Sequence, residues 1–343
     1  GGDEFALLLE RADADEAVQV AQYVMRLLSD VDFSIGKQRH RVAASVGVAL
    51  FPLHGATASE VMASADVAMY KAKKGGPQRW HLLRGADNAK DELEQRVHWV
   101  DQLHQALRND KFELMVQPIM RLSDRSVRHY EVLLRMRGSR GELLMPGRFI
   151  PIAERSGQIV QLDRWVLRTS LQLLRRIQGE GISLAVNLSG QSLHDDNLTD
   201  YLADELRTSG ANPQQLILEV TETAAVTDFS TARGLLMGMR ALGCRTALDD
   251  FGVGFSSFHY LGQLPVDYIK IDGSFIRNLT HDDDSRVIVK AIADIVAGFG
   301  KEAIAEFVDQ EALLPILQEY RIAFGQGYHL GRPVPAKEAF ADI

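Results

Sequence analysis

Short apolar runs, each followed by a helix-like segment, repeat along the sequence from residue 112 onward. They read VRHYEVLLR, ISLAVNLSG, LILEVTET, RTALDDFG, DYIKIDG, EAIAEFV and IAFGQGY. Repeated β-then-α units of this kind predict a parallel sheet that closes into a barrel. FELMVQPIM lies so close before the first run that the two indicate a hairpin. The predicted fold of residues 109–343 is therefore α/β, a TIM-type (β/α)8 barrel with one antiparallel strand.

Polar residues stand near the carboxyl ends of these runs, where barrel enzymes place their catalytic groups. A single carboxylate at such a position is most often a helix cap or an ion-pair partner. Several together indicate more than capping, because buried like charges repel unless something positive lies among them. The residues expected at one barrel mouth are Glu131, Asn187, Glu219, Asp249, Asp250, Lys270, Glu306 and Gln326.

The ligands in this set are all oxygen donors, which predicts a site for hard divalent cations. Without His or Cys, Mg²⁺ or Mn²⁺ is favoured over zinc. Successive strand residues point to opposite faces, so Asp249 and Asp250 can share a site only where the strand ends. The sequence FGVG at residues 251–254 supplies a turn there. A carboxylate shared by two ions is what a two-metal site for attack of water on phosphorus needs.

Lys270 is the one cation among these strand ends. It could form a buried pair with Asp272, two positions later on the same predicted face, that only balances charge. Alternatively, it holds the attacking water or neutralises charge as phosphorus is attacked. We favour the second interpretation, because a lysine buried beside metal ligands is costly without such a role.

Residues 1–85 predict a separate α+β fragment. Gly1-Gly2 has the composition of a hairpin turn whose first strand is missing, so the sequence is expected to begin inside a domain. Helical spacing covers residues 15–28 and 58–74, with a strand-like run between them. Residues 86–108 predict a connector helix with one apolar stripe, which could also pack in a dimer.

Charge and composition exclude several function classes. The formal net charge of −8 argues against broad electrostatic binding of nucleic acid. No apolar run reaches the ~18 residues that span a bilayer, and a single cysteine, Cys244, fits a reducing compartment. A cytoplasmic location is therefore expected. An upstream sensor or membrane region in a longer protein is compatible with these observations.

Seven motifs closely resemble, in order, those of the EAL-domain family, the bacterial phosphodiesterases that linearise cyclic di-GMP to 5′-pGpG. They are EVLLR (131–135), NLS (187–189), EVTE (219–222), DDFGVGFSS (249–257), PVDYIKID (265–272), AEFV (305–308) and GQGYHLGRP (325–333). The first fragment resembles the C-terminal half of a GGDEF domain, the diguanylate cyclase fold, through GGDEF and ADVAMYKAKKGG. A cyclase of that family binds GTP partly through upstream elements, so the resemblance implies that this sequence does not make cyclic di-GMP.

The resemblance also implies the ligands of two metal ions, Mg²⁺ or Mn²⁺. Those of the first would be Glu131, Asn187, Glu219 and Asp249. Those of the second would be Asp249, Asp250 and Glu306. The catalytic group, which acts on the attacking water and holds the metal network, would comprise Lys270, Gln326, Glu131 and Glu306.

Further residues are implied to hold the substrate, cyclic di-GMP. Arg135 suits a phosphate, Asp163 suits the donor edge of a guanine, and Gln117 would assist them. Glu222 would anchor the mobile loop DFGVGFSS at the rim of the barrel. A homodimer through the barrel is expected on the same ground.

Two functions from different classes are compatible with these motifs. One is an active cyclic di-GMP phosphodiesterase. The other is a receptor that binds cyclic di-GMP without cutting it and signals to a partner. Family members that only bind generally lack some metal ligands, whereas all the expected ligands are present here. The sequence therefore favours the enzyme.

Overall fold

The chain divides into two compact units, Gly1–Trp99 and Val100–Ile343. The computed structural model describes residues 5–29, 32–35, 38–41, 44–74, 79–83, 99–138, 141–252 and 258–341. Three predicted features lie wholly or partly outside these residues: the turn at residues 1–4, the connector helix over 86–98 and the loop at 253–257.

The first unit is an α+β fragment. Its helices are α1 (Ala14–Ser29) and α2 (Ala58–Lys74), and its strands are β1 (Asp32–Ile35), β2 (Gln38–Arg41), β3 (Ser45–Val48) and β4 (Arg79–Leu82). β1 and β2 pair antiparallel, whereas β3 and β4 form a parallel pair against which α2 packs. A Cβ atom on Gly47 would lie 2.0 Å from the carbonyl oxygen of Ala65, so only glycine allows this close approach.

The strands of the second unit form a closed barrel. They are β5 (Phe112–Arg121), β6 (Val127–Arg137), β7 (Leu143–Leu144), β8 (Ser183–Leu188), β9 (Leu216–Thr221), β10 (Arg245–Phe251), β11 (Tyr268–Ile271), β12 (Glu302–Ala305), β13 (Phe324–Gly325) and β14 (Val334–Pro335). Within the described residues the order around the barrel is β5-β6-β8-β9-β10-β11-β12-β13, which returns to β5, while β7 and β14 extend its edges. Around the barrel, β5 runs antiparallel to both β6 and β13, and the other neighbours are parallel. The two short additional strands also pair antiparallel, β7 with β6 and β14 with β5. The predicted barrel with one antiparallel strand is confirmed.

Helices connect the strands. They are α3 (99–108), α4 (Pro146–Ser156), α5 (Ile159–Arg176), α6 (Leu198–Ser209), α7 (Glu222–Thr227), α8 (Phe229–Ala241), α9 (Phe258–Gln263), α10 (Gly273–Ile276), α11 (Asp283–Gly298), α12 (Leu313–Glu319) and α13 (Ala336–Ala339). Side chains cap the N-termini of several helices: Thr221 caps α7, Asp228 caps α8 and Asp282 caps α11. In the part of the chain that the structure describes, no helix is long and apolar enough to cross a membrane.

A buried apolar layer fills the middle of the barrel. Its members are Ile119, Ala185, Ile217, Ala247, Tyr268, Ile304 and Phe324, one from each of seven strands. Because the side-chain period of a strand is two, the inward residue next to each of them stands two positions away. Toward the carboxyl ends of the parallel strands, the next inward-facing residues form a polar layer. They are Gln117, Asn187, Glu219, Asp249, Lys270, Glu306 and Gln326. The alternation that buries the apolar layer thus also places a polar layer above it.

Candidate active site

Lys270 lies at the centre of the polar layer, and its ammonium group contacts four carboxylates. Its Nζ is 3.0 Å from each of Glu219 Oε2, Asp249 Oδ1 and Glu306 Oε1, and 3.6 Å from Glu131 Oε2. The lysine side chain is only 1% exposed. The alternative pair of Lys270 with Asp272 is not formed, because the Asp272 carboxylate accepts the backbone N–H of Ser274 and caps α10.

Burial and crowding change the ionisation of this cluster. Burial opposes the charged form of Lys270, but the carboxylates around it, Asp249 first, raise its pKa well above the usual value. Burial raises the pKa of Glu219 well above its usual range, and Lys270 opposes that rise. Burial also raises the pKa of Glu306 to about 7, against the effect of Lys270. The metal-free site therefore holds more negative groups than one lysine can compensate.

Divalent cations fit this excess of acidic oxygens. Within the described residues, two groups of carboxylates have oxygens within 4.8 Å of one another: Glu131, Glu219 and Asp249, and then Asp249, Asp250 and Glu306. Glu219 Oε1 is buried and has no hydrogen-bond partner among the described residues. A buried carboxylate oxygen without a partner is costly, and a hard cation would satisfy it. The donor set therefore suits two such ions with Asp249 shared between them.

The backbone conformation of Asp250 allows two adjacent aspartates to contribute to one site. Asp250 has a φ of 55°, in the left-handed region, and its N–H donates to Asp249 Oδ1 at 2.9 Å. The pairing of β10 with β11 changes register here, from Leu248 to Phe251. Aspartate tolerates the left-handed conformation better than most residues. β10 thus continues through Asp250 with an irregular register instead of ending at Asp249 as the sequence predicted, and the Asp250 carboxylate lies close to those of Asp249 and Glu306.

Amide side chains hold Glu131 in place. Asn187 Nδ2 donates to Glu131 Oε1 at 2.8 Å, and Gln326 Nε2 donates to Glu131 Oε2 at 2.5 Å. Gln326 Nε2 also donates to Gln117 Oε1 at 3.2 Å, and Gln117 donates in turn to the carbonyl oxygen of Gly331 at 3.0 Å. The structure thus brings Gln117, which the sequence assigned to the substrate, into contact with the amide that orients Glu131, an expected metal ligand.

The other implied substrate residues lie near the same mouth. Arg135 is buried on β6, four residues beyond Glu131, and donates to the carbonyl oxygen of Leu134 at 2.8 Å. Asp163 is buried on α5, where its Oδ2 accepts hydrogen bonds from Ser189 N at 2.9 Å and Ser192 Oγ at 2.7 Å. Sequence reasoning missed this use of Asp163 to fix the chain after β8. The NLS motif was its only signal in the sequence.

Glu222 is the first residue of α7, and its side chain holds the end of β10. Its Oε2 accepts the N–H of Gly252 at 2.9 Å, and its side chain is buried. Gly252 has a φ of 105°, which few other residues adopt. The hydrogen bond fixes the last described residue before the loop at 253–257.

The fold and site define a barrel with an acidic, lysine-centred cation site at the carboxyl ends of its strands. The family model described as EAL domain matches residues 100–333, and the model described as diguanylate cyclase, GGDEF domain, matches residues 1–79. This chain belongs to the EAL-domain family and carries a GGDEF-domain fragment before the barrel.

Named relatives share this arrangement. The bifunctional diguanylate cyclase/cyclic di-GMP phosphodiesterase MucR of Pseudomonas aeruginosa is 35% identical over 346 residues, which cover 100% of this chain and 50% of that protein. The cyclic di-GMP phosphodiesterase PdeB of Shewanella oneidensis is 34% identical over 343 residues, 98% of this chain and 40% of that protein. This chain therefore spans half or less of the length of these relatives.

A solved structure has the same barrel. It is described as PaMucR phosphodiesterase, c-di-GMP complex, and it is 34% identical with a TM-score of 0.67. The match covers 71% of this chain and 100% of that one.

Proposed function

We propose that the barrel hydrolyses cyclic di-GMP to linear 5′-pGpG with the help of two divalent cations, Mg²⁺ or Mn²⁺. The observation that carries this proposal is the Lys270 cluster, in which every carboxylate ligand expected of the family lies within reach of its neighbours. The names of the relatives support the substrate. A cytoplasmic location and a homodimer through the barrel belong to the same proposal, and the mass of the protein in solution tests the dimer.

The residues of the cluster have separate roles in this proposal. Glu131, Asn187, Glu219 and Asp249 would hold one ion, and Asp249, Asp250 and Glu306 the other. Bound divalent cations lower the pKa of a coordinated water and stabilise charge on a phosphoryl group. Gln326 and Asn187 keep Glu131 oriented through the hydrogen bonds already described.

Two cationic side chains act on the substrate directly. Arg135 would donate charge-assisted hydrogen bonds to a phosphate oxygen. Lys270 stays protonated in its acidic surroundings, so it can neutralise charge that develops during attack on phosphorus. Asp163 and Gln117 would position the rest of the nucleotide, and Glu222 would anchor the loop after Gly252.

The test is to incubate the purified chain with cyclic di-GMP and Mg²⁺ or Mn²⁺ and to separate the products by chromatography. We expect 5′-pGpG from the parent. Asp249→Asn keeps the side-chain volume but removes the shared carboxylate, so hydrolysis should be lost while the fold is kept. Asp204→Asn is the matched control, because this carboxylate is 67% exposed on α6.

Two results would contradict the proposal. Near-normal hydrolysis by Asp249→Asn would remove the shared-ligand site. Saturable binding of cyclic di-GMP by the parent with no product at either metal would instead indicate the receptor.

A further inference from the structure

A cavity of about 1120 Å³ lies at the end of the barrel opposite to the Lys270 cluster. Its wall contains the first residues of five parallel strands, Ser183, Arg245, Tyr268, Glu302 and Phe324, and the last residue of the antiparallel strand, Arg121. The buried apolar layer separates it from the active site. This cavity is therefore distinct from the catalytic one.

Its lining is basic, although the chain as a whole has a net charge of −8. Among the described residues its cationic members are Arg121, Arg128, Arg240, Arg245 and Lys301, and its carboxylates are Asp267 and Glu302. Asp267 is already engaged by Arg240. The lining thus concentrates positive charge in one concave place, which favours an anion.

Two of the arginines are not neutralised. Among the described residues, neither Arg121 nor Arg245 has a carboxylate partner. Arg245 Nη1 donates to Tyr268 Oη at 2.8 Å, a neutral acceptor. The Arg121 guanidinium lies over the ring of Phe324, 5.5 Å from its centroid. Both guanidinium groups are therefore positioned by neutral contacts, and neither forms an ion pair among the described residues, although Glu302 lies in the same lining.

The floor of the cavity carries an unsatisfied histidine. His129 is only 4% exposed, and within the described part of the chain neither of its ring nitrogens has a hydrogen-bond partner. Its ring packs against Tyr268 and Phe324, with centroids 5.3 and 4.9 Å away. A buried polar group without a hydrogen-bond partner is costly, so a ligand that reached the ring and bonded to it would be favoured.

From this geometry we propose that the basic cavity is a binding site for a small phosphate-bearing polyanion. The guanidinium groups of Arg121 and Arg245 come from different strands of the barrel. A terminal phosphate group presents three acceptor oxygens that point in different directions, whereas a carboxylate presents two in one plane, so a phosphate is better suited to guanidinium groups that approach from different strands. A ligand with more than one phosphate group would contact both arginines and the His129 ring.

Isothermal titration calorimetry with pyrophosphate tests this site, in metal-free buffer at about 0.1 M salt so that distant charges are screened. We expect one pyrophosphate per chain. Arg121→Gln and Arg245→Gln should each weaken it by about tenfold or more, the usual order for a lost charged contact. The two variants are measured separately, because Arg245→Gln also loses the bond to Tyr268, whereas Arg121→Gln loses no side-chain hydrogen bond among the described residues.

Two control variants distinguish this cavity from general surface charge and from the active site. Arg207→Gln removes the same charge from a side chain that is 76% exposed on α6, and it should bind pyrophosphate as the parent does. Arg135→Ala removes the cation of the active-site mouth and should also leave pyrophosphate binding intact.

Four results would overturn the proposal. The first is the absence of saturable pyrophosphate binding, and the second is a weakening by Arg207→Gln equal to that by Arg121→Gln or Arg245→Gln. The third is loss of binding in Arg135→Ala with binding kept in Arg245→Gln. The fourth is binding of citrate as tight as that of pyrophosphate. The last would show that the cavity takes carboxylates as readily as phosphates.

Discussion

Removal of the Glu306 charge should stabilise the metal-free protein, although Glu306 is an expected metal ligand. Burial, together with the charges of Asp249 and Glu131, raises its pKa from 4.5 to about 7 in the folded chain, against the opposing effect of Lys270. When folding raises the pKa of a carboxyl group, the group contributes its full stabilisation at pH values below the pKa that it has in the unfolded chain. That contribution falls as pH rises from about 4.5 to about 7, and it is absent above this range.

A difference of one in pKa corresponds to about 1.36 kcal/mol. The pKa of Glu306 rises by about 2.5 on folding, so the effect on the free energy of unfolding is about 3 kcal/mol. Glu306→Gln has nearly the same volume and cannot ionise. It should therefore unfold with a free energy about 3 kcal/mol higher than the parent at about pH 8, and the difference should shrink to less than about 1 kcal/mol at about pH 5.

The assay is urea denaturation of both proteins in metal-free buffer at about pH 5 and about pH 8, followed by circular dichroism. Glu319→Gln, at an exposed position at the end of α12, is the control and should change nothing at either pH. Added Mg²⁺ should stabilise the parent more than Glu306→Gln, because a ligand that binds only the folded state adds stability that increases with the logarithm of its affinity. If Glu306→Gln is less stable than the parent at pH 8, or if the difference does not depend on pH, the reasoning is refuted.

Further predictions concern binding, catalysis and chemical reactivity. Arg135→Ala should weaken cyclic di-GMP binding measured in Ca²⁺, whereas Lys270→Ala should bind nearly as well and turn over far more slowly, since its contact is made chiefly in the transition state. Equal loss of binding with normal turnover of the bound complex would contradict this division. Glu222→Gln weakens the acceptor of the Gly252 N–H, and it should lower kcat with little effect on stability, about 1 kcal/mol or less in urea denaturation; unchanged kcat would exclude the anchoring role. Burial raises the pKa of the Cys244 thiol from 9 to about 12, so iodoacetamide should alkylate it roughly a thousand times more slowly at about pH 8 than after unfolding, and equal rates would show that the thiol is not buried.

The barrel and most of the residues at its mouth could be predicted from the amino-acid sequence alone. The reason is that the side-chain period of a strand is fixed at two, so each apolar inward residue predicts its inward neighbour. Ile217 and Glu219, or Ile304 and Glu306, follow this rule without knowledge of any contact. The hairpin of β5 and β6 was also visible, because the two runs are too close in sequence for a helical crossover.

The contacts that these side chains make, in contrast, follow from the tertiary structure and could not be predicted from the sequence. The sequence left Lys270 with Asp272 as an alternative, because two residues on one strand face are neighbours. In the barrel, four carboxylates from other strands surround Lys270 instead, and Asp272 caps a helix. Distances between strands depend on how the sheet closes, which no local pattern encodes.

The same limit applies to Asp163 and His129. Asp163 belongs to a helix whose spacing predicts burial but not the serines that it meets, Ser189 and Ser192. His129 stands two residues before Glu131 on the inward face, so its burial follows from periodicity. Its lack of a hydrogen-bond partner among the described residues, and the arginines that surround the cavity below it, exist only because several distant strands begin at one end of the barrel.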